Sequence, residues 1–266
     1  MTSRSWKKIL FANDSRHLVF WLCVIATILL MGFPNLPVYT RWSFILLFLP
    51  SVFFIFRKGS RIDRKTLFLI WALTILGAIL WDKLALAYNL WYFPPAGVSG
   101  YIFGIPFEEY IWGLSFSTIA VGIYTSLPAF RQNVYDGPRV KDVYLLCIIF
   151  VLDILAIFWL FRSGTSSYFK WLLVIAILPS FIFLWRKGER IDEVKFIITA
   201  GIFLLYFIWN DHVFILTRSW GYNESALIGR IGIVPIDDIL FGIFHLILCI
   251  GFYTSLLPKN RLGNKN

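Results

Sequence analysis

The fold is decided by the apolar run at residues 66–87, TLFLIWALTILGAILWDKLALA. A helix of about 20 apolar residues spans the ~30 Å hydrocarbon core of a bilayer. The run is long enough to do so, and its two charged members, Asp82 and Lys83, lie toward one end. It therefore predicts a transmembrane helix with an ionisable group near one membrane face.

The rest of the chain is similarly apolar. Of its 266 residues, 59% are hydrophobic and 15% are charged, with a mean hydropathy of +0.73. Soluble domains carry about 25% charged residues, so this composition predicts an integral membrane protein. The net charge of +10 comes from short basic clusters between apolar runs, which is typical of membrane flanks and predicts no nucleic-acid partner. The cysteines lie inside apolar runs and are expected to be buried hydrophobic residues: Cys23, Cys147 and Cys249.

The pattern predicts an all-α fold with about eight transmembrane helices. With the N-terminus on the cytoplasmic side, 19 Lys and Arg residues fall on that side and six on the other. Cytoplasmic loops carry such an excess, so we expect a multi-pass protein of the cell membrane with both termini in the cytoplasm. The predicted spans lie at 17–33, 42–56, 66–87, 106–127, 142–161, 168–185, 195–216 and 233–257.

The chain also repeats itself, and the stretch from Leu49 to Leu127 aligns without a gap with the stretch from Leu178 to Leu256. Residues 57–63, RKGSRID, recur as RKGERID at 186–192, and YTSL at 124–127 recurs at 253–256. An even number of helices per copy gives both copies the same orientation, related by an axis along the membrane normal. We therefore predict two parallel four-helix repeats, 1–130 and 131–266, with a substrate pocket between them.

Each copy contains a proline followed by two adjacent acids. GIPFEEY at 104–110 opens the fourth predicted span, and IVPIDDI at 233–239 opens the eighth. Pro106 and Pro235 are expected in the first helical turn, where the following acids would lie near the positive end of the helix dipole. Helix capping alone would explain one acid in one copy, whereas each copy has two adjacent acids after a proline at the matching position. The candidate catalytic residues are Glu108, Glu109, Asp237 and Asp238.

Further polar residues are expected to support these acids. Asp82 and Asp211 lie at the same predicted depth, so six carboxylates could form one layer. Ionisable groups inside a membrane are functional candidates by default. Crowded carboxylates cannot all ionise in a low-dielectric site, so one of them could act as a general acid. His245 lies seven residues after Asp238. It is expected to be either a proton relay or a core histidine. Trp91 and Trp220 are supporting candidates, with an interfacial belt as the simpler alternative.

These motifs resemble those of the small membrane-bound lycopene cyclases. The resemblance rests on the tandem arrangement, on the Gly-x-Pro-x-Glu-Glu motif at 104–109, on its counterpart at 235–238 and on the loop at 91–105. Such cyclases occur in archaea, in some bacteria as two subunits, and in fungi as a domain of a bifunctional phytoene synthase. The resemblance covers essentially the whole chain, as a fusion of two subunit-like halves.

The resemblance implies isomerising cyclisation of carotenoid ends, with no net redox change, no cofactor and no metal. It assigns the acidic motif to Glu108 and Glu109 and, by the repeat, to Asp237 and Asp238. One acid would protonate the terminal double bond, the next double bond would attack the cation, and proton loss would leave a β-type ring. The second copy carries Asp-Asp where the family commonly has at least one Glu, so the proton donor is expected to be Glu108 or Glu109.

The resemblance also implies a partner. The substrate would be lycopene or a similar carotenoid, taken from the bilayer among the membrane lipids, and association with other enzymes of carotenoid synthesis is left open.

Two other functions remain open from the residues alone. Clustered acids could hold Mg²⁺ for a membrane prenyltransferase that uses a prenyl diphosphate. They could also form the proton or ion pathway of a parallel-repeat transporter.

Overall fold

The computed structural model describes residues 15–57, 60–128, 167–187 and 191–256. Within these ranges the chain forms seven long helices joined by short loops and two-residue strands. The helices are α1 Ser15–Met31, α2 Val38–Phe56, α3 Arg64–Ala87, α4 Phe107–Ser126, α5 from Tyr168 to Lys187, α6 Glu193–Leu216 and α7 Ile236–Leu256.

Five of these helices are long and apolar enough to cross a membrane. They are α2, α3, α6, α7 and the Tyr168–Trp185 part of α5. In α1 the apolar part, Leu18–Met31, is shorter, and α4 is not among the five. The span predicted at 142–161 lies outside the described residues. The chain is therefore a largely helical protein with membrane-spanning character, and the predicted number of eight spans stays a prediction.

Helices α2 and α5 each contain a π-helical segment directly before a Leu-Pro pair. The segments are Ser43–Phe48 and Leu173–Ile177. A proline within a helix has no N–H to donate and disturbs the preceding turn, which such a wider turn can accommodate. In α2 the carbonyl of Leu46, four residues before Pro50, accepts a hydrogen bond from the Tyr206 hydroxyl. This bond attaches α2 to α6.

The repeated RKGxRID loops end in helix caps. The Asp63 carboxylate accepts from the backbone N–H three residues later at 3.0 Å, and Asp192 does the same at 3.1 Å. A cap of this kind stabilises a helix by about 1 kcal/mol. The backbone N–H of Asp63 donates to the Tyr253 hydroxyl at 2.8 Å, and that of Asp192 donates to the Tyr124 hydroxyl at 3.2 Å. Each half of the chain therefore holds the helix start of the other.

Short hairpins precede α4 and α7. Strands β2 (Tyr101–Ile102) and β3 (Ile105–Pro106) pair antiparallel, as do β5 (Arg230–Ile231) and β6 (Val234–Pro235). The expectation that Pro106 and Pro235 lie in the first helical turn is wrong. Each proline ends a strand, because pairing with Tyr101 or Arg230 holds it extended, and the helix begins one residue later. Strands β1 (Trp91–Tyr92) and β4 (Gly221–Tyr222) also pair and join the two halves.

Helix α4 lies at the centre, packed against α2, α3, α6 and α7. Gly122 allows α2 to approach it closely. A Cβ at Gly122 would lie 2.7 Å from the Cβ of Phe54, and one at Gly251 in α7 would overlap the Phe183 ring. Neither position has room for a methyl group without displacement of a neighbour.

We therefore expect Gly122→Ala to destabilise the protein by about 1–3 kcal/mol, because overpacking displaces a neighbour near its backbone. The measurement is the melting temperature of the purified protein in detergent. Gly201→Ala is the matched control, since a Cβ there meets nothing within 4 Å and alanine favours a helix. Equal melting temperatures for the two variants would contradict the close packing at Gly122.

Candidate active site

A cavity of about 210 Å³ lies between the two halves of the chain, and four carboxylates line it. Asp82 comes from α3, Glu109 from α4, Asp211 from α6 and Asp238 from α7. The rest of the wall is mainly aromatic and aliphatic. The structure thus brings together one acid from each predicted pair and both of the aspartates expected at the same depth.

The first acid of each pair does not line the cavity. Glu108 is fully buried and accepts hydrogen bonds from the Thr40 hydroxyl and, at 2.8 Å, from the backbone N–H of Ser99. Asp237 accepts from the backbone N–H of Ile228 at 3.0 Å. Adjacent helix residues point about 100° apart, so only one carboxylate of each pair can face the pocket. Glu108 and Asp237 hold the loop that precedes their helix.

Tyrosine hydroxyls hold the acids that do face the cavity. Tyr39 donates to Glu109 Oε1, Tyr168 donates to Asp238 Oδ1 at 2.6 Å, and Tyr222 donates to Asp238 Oδ2. None of these three tyrosines was predicted from the sequence. A signal was present for two of them, because Tyr39 and Tyr168 occupy matching positions of the two copies, just before the aligned block that begins at Leu49.

Asp82 and Asp211 complete the layer from the neighbouring helices. Their side chains are 3% and 5% exposed, and each interacts electrostatically with the cavity-facing acid of its own half. Asp211 Oδ2 and the indole Nε1 of Trp220 are buried and have no hydrogen-bond partner among the described residues. Buried polar groups are usually paired, so these two atoms hold unused hydrogen-bonding capacity at the cavity.

An ion pair in the loop before α7 lies beside Tyr222, one of the two tyrosines that donate to Asp238. Arg230 Nη2 lies 2.7 Å from Glu224 Oε1, and its guanidinium stacks 5.6 Å from the centre of the Tyr222 ring. The hydrogen bond from Arg230 lowers the pKa of Glu224. Burial, followed by the charges of Asp211 and Asp238, raises the pKa of Tyr222 well above its ordinary value. The Tyr222 hydroxyl therefore keeps its proton and stays a donor to Asp238.

Trp91 and Trp220 pack around the tyrosines. Each is 8% exposed, which does not match an aromatic belt facing lipid headgroups. The Trp91 ring lies 5.3 Å from that of Tyr168, and the Trp220 ring lies 5.2 Å from that of Tyr39. These contacts limit how the two tyrosines can rotate away from their acids.

The lycopene cyclase family profile matches residues 35–127 and 183–256. The chain belongs to the lycopene cyclase family. A bifunctional lycopene cyclase/phytoene synthase from Phaffia rhodozyma is 24% identical over an alignment of 187 positions, and the match covers 60% of this chain and 27% of that protein. The chain therefore matches about a quarter of the length of this relative. No solved structure was found to match the chain.

The ranges matched to lycopene cyclases contain all four cavity-facing acids and two of the three tyrosines. Tyr168, which donates to Asp238, lies outside the matched ranges. The family match does not favour the prenyltransferase or transporter alternatives. In the described part of the chain, no three His, Cys, Asp or Glu side chains are placed to hold a metal ion.

His245 also lines the cavity, two helical turns from Asp238. Its Nε2 lies 3.4 Å from Ser117 Oγ and 3.4 Å from Cys249 Sγ, and its ring lies beside Trp112 and Phe241. These long contacts position the imidazole between two weak partners. A core role and a proton-relay role both stay predictions for this residue.

Proposed function

We propose that the chain is a lycopene cyclase that closes the end of an acyclic carotenoid into a β-type ring. A single observation carries the proposal. Four carboxylates line a mainly apolar and aromatic cavity between apolar helices; Asp82, Asp211 and Asp238 are buried, Glu109 is partly buried, and tyrosine hydroxyls hold Glu109 and Asp238. Such a cavity can accept a hydrocarbon and deliver a proton to it in the absence of bulk water.

Glu109 is the proposed proton donor. Its Oε1 accepts from Tyr39, while Oε2 accepts no hydrogen bond from a described residue. Both oxygens of Asp238 are occupied by tyrosines, so Asp238 is the more fixed negative partner. Glu108, the other candidate donor, is held by Thr40 and the Ser99 backbone outside the cavity.

The reaction needs no oxidant or reductant. Glu109 protonates the terminal double bond, the neighbouring double bond attacks the resulting cation to form the ring C–C bond, and a carboxylate removes a proton to restore a double bond. The product is an isomer of the substrate. Aromatic faces stabilise a cation by about 0.5–2 kcal/mol each, and Trp112 and Phe241 lie in the cavity wall.

The proposal includes the architecture inferred from the sequence: two parallel four-helix repeats, 1–130 and 131–266, eight spans, cytoplasmic termini and a place in the cell membrane. Several structural features support the repeats. Helices α3 and α6 begin at matching positions of the two copies, as do α4 and α7. The Asp63–Tyr253 and Asp192–Tyr124 hydrogen bonds are reciprocal. The proposed substrate enters from the bilayer, and other enzymes of carotenoid synthesis are proposed partners.

Expression in a bacterial host that accumulates lycopene tests this function. We expect the cells to change from red to orange or yellow, with a cyclic product of unchanged mass that chromatography and absorption spectroscopy identify as carrying β-rings. Activity in excess chelator would separate this reaction from a Mg²⁺-dependent prenyl transfer. Unchanged lycopene, with the protein verified in the membrane, would contradict the proposal.

Tyr222→Phe is expected to slow cyclisation about tenfold, because a hydrogen bond to a charged group contributes about 1.5–3 kcal/mol. The measurement is the initial rate of product formation in isolated membranes, normalised to folded protein. Tyr101→Phe is the control, since Tyr101 is 53% exposed and does not line the cavity. A Tyr222→Phe variant as fast as the control would show that this hydroxyl does not assist the reaction.

A further inference from the structure

The two halves of the chain meet at two related interfaces. Helix α4 of the first half packs against α6 of the second, and α7 of the second half packs against α3 of the first. The internal repeat relates the two interfaces, because α4 corresponds to α7 and α6 corresponds to α3. If the halves were equivalent, both interfaces would have the same shape.

Aromatic side chains fill the α4–α6 interface. The ring of Phe116 lies 5.8 Å from that of Phe203, 6.1 Å from Tyr206 and 5.0 Å from Phe207. Phe116 and Phe203 are almost completely buried, at 1% and 0% exposure. Phe207 lines the cavity on this side.

The α3–α7 interface carries smaller residues at the corresponding positions. Thr74, Gly77 and Ala78 replace Phe203, Tyr206 and Phe207, and His245 replaces Phe116. All four smaller residues line the cavity. A Cβ at Gly77 would meet nothing within 4 Å. The cavity therefore extends along α3 and α7, whereas Phe116, Phe203 and Tyr206 of the α4–α6 interface do not line it in the described part of the chain.

The shape and chemistry of this cavity fit an extended hydrocarbon. Its lining runs from Asp82 to Ile70 on α3 and from Asp238 to Phe252 on α7, which are about 18 Å and 21 Å along the helix axes. The acid end also contains two buried atoms, Asp211 Oδ2 and Trp220 Nε1, that have no hydrogen-bond partner among the residues described. Gly77 and the half-exposed Leu73 place part of the lining at the outer surface of the described helices.

We propose that the described part of the protein has one substrate channel, between α3 and α7, and that the protein cyclises one carotenoid end in each binding event. This inference rests on the proposed function. Gly77 and Ala78 determine which interface accepts the carotenoid, because their small size keeps the α3–α7 channel open. Tyr206 and Phe207 close the equivalent path between α4 and α6. Cyclisation of both ends then requires the one-ring product to leave the channel and return with its other end first.

Copying the closed interface into the open one tests the channel. Gly77→Tyr and Ala78→Phe install the residues of the second half at the matching positions. We expect each to lower lycopene conversion about 100-fold, since displacement of the substrate from the acids removes productive alignment. Gly201→Tyr is the control, because Gly201 is an exposed helical glycine outside the cavity with open space around it. Full activity in folded Ala78→Phe would overturn the proposal.

The order of products tests the same idea in the unaltered protein. Full-chain protein in liposomes with a large excess of lycopene should first release a one-ring carotenoid, and any two-ring product should appear only after a lag. If isotopically labelled lycopene is added early, the label should appear first in the one-ring carotenoid and only after a lag in the two-ring product. Two-ring product from the first turnovers, with no free one-ring species, would overturn the single channel. No ring formation at all would instead contradict the proposed function.

Discussion

Glu109→Gln is expected to lower the rate of ring formation by about 10²–10⁴-fold, the range over which a positioned general acid contributes to catalysis. The amide preserves the size of the side chain and can still accept the Tyr39 hydrogen bond, but it has no acidic proton to transfer. Lycopene should accumulate in the expression host, and chromatography of the extracted pigments measures the loss. The variant should remain folded, because Glu109 faces the cavity and carries no hydrogen bond to a loop.

Glu108→Gln is the matched control for this prediction. Glu108 is adjacent in sequence and fully buried, but its partners are Thr40 and the backbone of Ser99. Glutamine keeps the accepting oxygen, so we expect near-normal activity per folded molecule, and any effect of the substitution should appear in the melting temperature. Loss of chemistry in a stably folded Glu108→Gln variant, together with an active Glu109→Gln variant, would reverse the assignment of the two acids.

Much of the fold could be predicted from the sequence because membrane helices leave strong signals. The run at 66–87 corresponds to helix α3, Arg64–Ala87, and the run at 195–216 corresponds to α6, Glu193–Leu216. The earlier start of each helix follows from the Asp63 and Asp192 caps. The strands were not predicted, since a two-residue strand is too short to show alternating hydrophobicity. The π-helical segments were also missed.

The site could be predicted in part. The free-energy cost of placing an ionisable group inside a membrane pointed to the carboxylates. The helical phase that turns Glu109 toward the cavity and Glu108 away from it depends on where α4 begins. That start is set by the hairpin that holds Pro106 in β3. The tyrosines were missed because Tyr39 and Tyr222 lie outside the predicted spans and Tyr168 only begins one, so no pattern placed them beside the acids. The one-sided cavity depends on side-chain volumes across two helix interfaces, which become meaningful only when the helices are placed.

Asp238→Asn is expected to slow cyclisation by about 10²–10³-fold, the typical effect of removing one preorganised electrostatic group. Asp238 is not the proposed donor, because tyrosines occupy both of its oxygens. Its proposed role is that of a fixed negative charge, facing the same cavity as Glu109, that stabilises the carbocation or accepts the departing proton. The rate should be measured in membranes with verified protein content.

Asp237→Asn provides the control for this variant, since Asp237 accepts from the Ile228 backbone outside the cavity and should affect stability more than rate. The two cavity-facing acids can then be compared directly. A donor that is lost cannot be replaced by a neighbour held as an acceptor, so Glu109→Gln should be the slower variant. If Asp238→Asn abolished the reaction while Glu109→Gln retained it, the proton would come from the second half, and the shorter aspartate side chain would be the acid.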